Sequence, residues 1–199
     1  MIYDNLQSFF KDGRATVAKG PVALILLEDE VEAASTIRHH LDAGFKSVIV
    51  FGVPDIVLTD DVADKVTRVM FDMTSDNALT QVVNGVIKAA PGQWIYYCFN
   101  AEYLFWPFCE HRNVAEMLAF NLEERRHSVL TYVVDLYTGD LDKNPDAVCL
   151  EDAHLDKSGY YALARWDKEK EFLDRQLDFF GGLRWRFEEL IPYERRRID

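Results

Sequence analysis

The sequence has no run of 18 or more apolar residues, so no membrane-spanning helix is expected. It also lacks a signal-peptide core, because Asp4, Lys11, Asp12, Arg14 and Lys19 interrupt its first 20 residues. Cysteine is scarce. Cys98, Cys109 and Cys149 are odd in number and have no CxxC spacing. That points away from a disulfide framework or zinc ribbon and toward a reducing, cytoplasmic setting. Positive charge is short too: Lys+Arg 22 against Asp+Glu 34 leaves a net charge of −12. Phosphate backbones need clustered Lys and Arg, so nucleic acid is not an expected partner. A small phosphorylated ligand held by a few local cations stays open.

What is present is a globular composition. The 199 residues are 49% apolar and 13% aromatic, which argues against disorder and low complexity. A chain of this length buries about 70% of its unfolded surface and suits one domain, or one with a tail. Residues 1–20 read as a polar N-terminal leader with a short amphipathic piece around Leu6–Phe10, ended by Gly20-Pro21. Residues 21–199 read as a single domain.

Within it, apolar runs alternate with helical patterns. Val22–Leu27 is a continuous apolar run bounded by Pro21 and by acids, the mark of a strand buried on both faces. Residues 30–43 carry Ala33, Ile37 and Leu41 at helical spacing and stop at Gly44. Ser47–Phe51 is a second buried strand, so the first third predicts a parallel pair with a right-handed crossover. Strands at 67–71 and 94–99 flank a helix at 77–90. A helix at 114–126, with Met117, Leu118 and Leu122 inward, precedes a longer strand at 128–137. Residues 138–159 read as acidic loop, and a charged helix is expected at 168–176. The alternation predicts a three-layer, Rossmann-like α/β domain: a mostly parallel sheet with helices on both faces.

In open α/β sheets, ligands gather beyond the carboxyl ends of the strands. That rule nominates Glu28, Asp29 and Glu30, then Gly52 and Asp55, then Asp72, Thr74, Ser75 and Asp76, then Asn100 and Glu102. Such an acidic edge suits a metal or a nucleotide-sugar. The same acids equally suit first helical turns, where the dipole favours them. Arg184 and Arg186 fall on one face of a strand, and guanidinium forks match diphosphate oxygens; an ion-paired edge is the alternative. His39 and His40 read as packing or surface residues of a helix. Cys109 beside His111 lacks the oriented partners that activate a nucleophile.

The segment Trp94-Ile-Tyr-Tyr-Cys-Phe-Asn-Ala-Glu-Tyr-Leu-Phe-Trp-Pro107, with Cys109-Glu110 and Arg112, resembles the central segment of bacterial glycosyltransferase family 2 proteins. Val133-Val-Asp-Leu-Tyr137 resembles that family's apolar-Asp-Met-Tyr strand, and Phe180–Phe187 its Gly-Gly-x-Arg-x-Arg segment. Upstream, Asp29-Glu30, His40 and Gly44 resemble its Asn-Glu…His…Gly helix. The resemblance implies a GT-A fold and a nucleotide-sugar donor. It implies a divalent cation (Mn or Mg) on an Asp-x-Asp pair, which neutralises the diphosphate leaving group. Donor contacts would come from Asp29, Glu30, Asp55, Asn100, Arg184 and Arg186, and a catalytic carboxylate from Glu102 or Asp135.

Phe99 and Ala101 stand where the family has its two metal-binding aspartates, and only Glu102 remains of the acids there. A one-residue slip would place Asn100 and Glu102 at the cation instead. Family members also continue past the region where this sequence ends at Asp199. Transfer of a sugar and binding without turnover, a pseudoenzyme, therefore both stand as expectations. A third reading is a receiver-like signalling domain with Asp72 as phosphoacceptor, for which the later lysine has no counterpart.

Overall fold

The computed structural model describes residues 1–131, 134, 136–155, 165–167 and 172–174. They fall into two compact units, Met1–His127 and a second beginning at Ser128. The first unit holds a five-stranded parallel sheet of β1 (Ile2–Tyr3), β2 (Val22–Leu26), β3 (Ser47–Gly52), β4 (Thr67–Met70) and β5 (Ile95–Phe99), in the order β1-β4-β3-β2-β5. The expected α/β class is thus present. Its helices are α1 (Leu6–Asp12), α2 (Arg14–Val17), α3 (Ala33–Asp42), α4 (Asp60–Ala63), α5 (Ala78–Ala89) and α6 (Val114–Glu123).

Every residue of β2 and β3 is buried, as their unbroken apolar runs require. The pleat sends alternate residues to opposite faces. Ala23, Ile25 and Leu27 cluster with Val48, Val50 and Cys98, under Ile37 of α3, Val62 of α4 and Val114 and Leu118 of α6. On the other face Phe51 meets the ring of Phe9 from α1 edge-on, with centroids 5.9 Å apart. Residues 1–20, expected as a leader, supply the edge strand β1 and the helices α1 and α2. Asn5 caps α1 by accepting a 2.8 Å bond from the Ser8 amide. Gly44, at φ +91°, follows α3 in the left-handed conformation that closes a helix.

The inward face of α6 differs from expectation. Val114, Leu118 and Asn121 are buried, whereas Leu122 is 51% exposed. One residue turns the helix by about 100°, so the stripe through 114, 118 and 121 carries Leu122 off the core. Asn121 is accommodated because its Nδ2 donates to the Met117 carbonyl at 2.9 Å.

In the second unit β6 (Leu136–Thr138) pairs antiparallel with β7 (Ala153–Leu155), and β8 (Arg165–Asp167) with β9 (Phe172–Asp174). Two expectations are corrected here. Among the described residues of 128–137, ladder pairing begins at Leu136, and within the expected helix of 168–176 the described residues Phe172–Asp174 form a strand instead. A short, highly charged helix without a wide apolar stripe gains little from propensity alone, while antiparallel pairing satisfies the backbone locally. β7 likewise lies within the stretch expected to be loop.

Candidate functional site

The strand order creates the site. From β2 the chain crosses to β3 on one side, and it later returns to β5 on the other. The carboxyl ends of β2 and β5 therefore lie side by side where the winding direction reverses, with Leu26 in register with Phe99. This is where a parallel sheet parts its two loops and leaves room for a ligand.

The two loops are tied by Asn100. Its Oδ1 accepts from the Glu28 amide at 3.1 Å, and its Nδ2 donates to Asp29 Oδ1 at 2.6 Å and to the Val31 carbonyl at 3.1 Å. Asp29 Oδ1 also accepts from the Val31 amide at 2.9 Å. Asp29 and Asn100, both nominated from the sequence, thus meet, and each orients the other. Glu28, Asp29 and Glu30 are exposed at this edge.

Glu102 folds back on its own strand end, where its Oε2 accepts from the Phe99 amide at 2.8 Å. Between them Ala101 adopts φ +60°, and its amide donates to Thr36 Oγ1 at 2.9 Å. The Thr36 hydroxyl in turn donates to the Glu32 carbonyl at 2.7 Å. Glu32 also has a left-handed backbone, at φ 51°. Two non-glycine residues in this sparsely populated region face each other through one threonine, a conformation that the surrounding bonds must hold in place.

A second link crosses the same gap. Ser35 Oγ donates to the Glu32 carboxylate and lies 2.8 Å from the Tyr103 hydroxyl. His39 Nε2 lies 2.8 Å from the Leu104 carbonyl. Glu32, Ser35, Thr36 and Tyr103 were not nominated from the sequence. The one available signal was their position, on the first turn of the helix after β2 and in the loop after β5.

Beneath the site His40 is fully buried, ring-stacked on Tyr96 at 5.4 Å, with Nδ1 2.8 Å from the Thr36 carbonyl and Nε2 3.7 Å from Cys98 Sγ. Burial, opposed by the bond to Thr36, lowers its pKa to about 4. Burial likewise pushes the Cys98 thiol well up, so this cysteine is a packing residue and no thiolate nucleophile.

The other nominated residues are placed as follows. Asp55 is exposed in the turn after β3, whose Val53 carbonyl accepts from Arg68 at 2.9 Å and whose Ile56 carbonyl accepts from the same guanidinium. Asp72, after β4, accepts from the Thr74 hydroxyl at 2.7 Å and its amide at 2.9 Å, and these bonds hold its carboxyl below the usual range. Asp135, Arg184 and Arg186 lie outside the described residues. A groove of about 560 Å³ between α1 and α5, lined by Phe10, Asn84, Gly85 and Lys88 among others, shares no residue with the strand-end set.

At this edge the two positions where the resemblance expects metal-ligating aspartates supply no side-chain oxygen. Phe99 is 7% exposed and Ala101 has no side-chain oxygen. Asp29 Oδ1 is bonded to Asn100 and the Val31 amide, and among the described residues no three His, Cys, Asp or Glu side chains gather as ligands. No helix among the described residues is long and apolar enough to cross a membrane. No protein-family model, curated protein or solved structure matches the chain.

Proposed function

We propose that this chain is a glycosyltransferase family 2-like protein on a three-layer, Rossmann-like scaffold of GT-A type. Its ligand is a nucleotide-sugar held at the carboxyl ends of β2, β3 and β5. The observation that carries this reading is the reversal of winding between β2 and β5, with Asn100 bridging Glu28, Asp29 and Val31 there. The segment from Trp94 that suggested the resemblance forms the strand on one side of that reversal, which is where a donor site of this class belongs. In this reading Asp29, Glu30, Asp55 and Asn100 face the donor; the resemblance assigns the diphosphate to Arg184 and Arg186, which lie outside the described residues. Cations are needed there, because the strand-end residues are acidic and repel phosphate.

Sugar transfer requires a carboxylate within reach of the acceptor hydroxyl, for which Glu102 and Asp135 are the residues the resemblance supplies. The second reading, binding without transfer, is favoured by one observation: Phe99 is buried in the sheet rather than presented at its edge. Neither reading routes a step through a metal ion.

Isothermal calorimetry with UDP- and GDP-sugars, with and without Mn²⁺, tests the donor site. Saturable heat that does not depend on Mn²⁺ is expected, and no heat at millimolar ligand refutes the reading. Release of free sugar from the nucleotide-sugar, or its transfer to an acceptor, refutes binding without turnover.

A further inference from the structure

The hydrogen bonds among Glu32, Ser35 and Tyr103 have a fixed direction. An ionised carboxylate only accepts, and a serine hydroxyl has a single proton to give. Both acceptors that Ser35 Oγ reaches belong to Glu32, namely its carboxylate and, at 2.9 Å, its carbonyl. The Ser35 proton is therefore spent on Glu32. The Tyr103 hydroxyl lies 2.8 Å from Ser35 Oγ and also hydrogen-bonds the Glu32 carboxylate, which only accepts, so with the Ser35 proton spent on Glu32 the tyrosine donates inward. Thr36 does not reverse this, because its own proton goes to the Glu32 carbonyl. Tyr103 is half-buried, and what its oxygen still offers is lone pairs.

From this directed chain we propose that Tyr103 is a recognition residue for a ligand hydroxyl: the phenol oxygen accepts a hydrogen bond from a sugar hydroxyl, and Ser35 and Glu32 position it as an acceptor. The inference rests on the nucleotide-sugar reading and sharpens it. An acceptor-only subsite on an acidic loop takes the hydroxyl-bearing part of the ligand and rejects its phosphates, so the sugar or ribose lies over α3 and the diphosphate elsewhere. The two left-handed residues, Glu32 and Ala101, are what bring the first turn of α3 and the loop after β5 close enough for the chain to form.

The test is calorimetric titration of UDP-glucose and of UDP into the wild-type protein and the variants Tyr103→Phe and Glu32→Gln, with near-UV circular dichroism as the fold control. Removing one neutral hydrogen bond at a half-buried site should weaken binding about three- to tenfold in Tyr103→Phe. Glu32→Gln introduces an amide donor toward Ser35, which frees the chain to turn around and present the Tyr103 proton outward. It should weaken UDP-glucose comparably with an unchanged dichroism spectrum, an effect that loss of packing alone does not produce. Weakening of both ligands places the ribose at Tyr103, and weakening of UDP-glucose alone places the hexose there; either supports the inference. Wild-type binding that both variants retain at full strength overturns it and leaves the nucleotide-sugar reading standing. No binding by the wild type overturns both.

Discussion

Asn100→Ala removes the tie between the two loops, and its cost follows from the bonds it breaks. The Asn100 amide makes two neutral hydrogen bonds, to the Glu28 amide and the Val31 carbonyl, and one to the Asp29 carboxylate. Neutral bonds contribute about 1 kcal/mol each and a charge-assisted one about 1.5–3 kcal/mol. The site is partly open to water, which replaces part of what is lost. A net destabilisation of about 2–3 kcal/mol is expected, or a fall in Tm of about 4–12 °C for a chain of this size. Urea denaturation should show a lower midpoint with an unchanged slope, and amide exchange at Glu28 and Val31 should accelerate. Asn100→Asp provides the control of sign. It places a carboxylate where Nδ2 sits 2.6 Å from Asp29 Oδ1. Two carboxylates so close raise a folded-state pKa above its unfolded value, so that variant should recover stability as the pH falls and one group protonates. A loss below about 0.5 kcal/mol for Asn100→Ala, with Glu28 exchange unaltered, refutes the claim that this residue holds the site together.

Four further outcomes follow from named contacts. His40, with its pKa lowered to about 4 by burial, binds no proton in the folded state where the unfolded chain, titrating at 6.5, does. Stability should therefore be complete above about pH 6.5 and fall by about 3 kcal/mol on the way to pH 4; His40→Phe should flatten that decline in urea titrations at several pH values. Gly13→Ala should cost about 1–3 kcal/mol by thermal melting, because its Cβ would stand 2.7 Å from the Phe9 carbonyl and 2.6 Å from the ring of a fully buried Phe9. Phe99→Asp, the substitution that would restore a family metal ligand, should cost more than about 4 kcal/mol, since it empties a buried aromatic site and fills it with a charge; a variant with a wild-type denaturation midpoint refutes this. Ala101→Asn should raise stability by about 0.5–1 kcal/mol, because asparagine tolerates the left-handed backbone at φ 60° better than alanine does.

The parallel sheet is legible in the sequence wherever burial is two-sided. Val22–Leu27 and Ser47–Phe51 read as strands because no polar residue breaks them, and both are wholly buried. Edges are less legible. Ile2–Tyr3 pairs with only two residues of β4, and two residues among polar neighbours leave no periodic signal. Asn121 inward and Leu122 outward on α6 invert a hydropathy rule, since an amide that bonds its own helix can be buried while a leucine one position on points away. The antiparallel pairing of Arg165–Asp167 with Phe172–Asp174 depends on cross-strand contacts that spacing alone does not reveal.

The candidate site divides in the same way. Asp29 and Asn100 could be nominated because they follow strands, and the topological rule needs only strand order to bring them together. Ser35 and Tyr103 could not, because their contact spans 68 residues and depends on two backbone angles that no residue-type preference announces at Glu32 or Ala101. Their chemistry depends in turn on direction rather than identity. A serine and a tyrosine in contact can pass a proton either way, and it is the carboxylate of Glu32 at the inner end that settles which way it goes. Sequence position shows where acids fall; the proposed role of Glu32 lies in the orientation it imposes on the Ser35 and Tyr103 hydroxyls. In the proposed chain the glutamate at the N-terminus of α3 shapes what the edge recognises without touching the ligand, which is why Glu32→Gln, rather than removal of any exposed acid, separates a recognition chain from an ordinary loop tie.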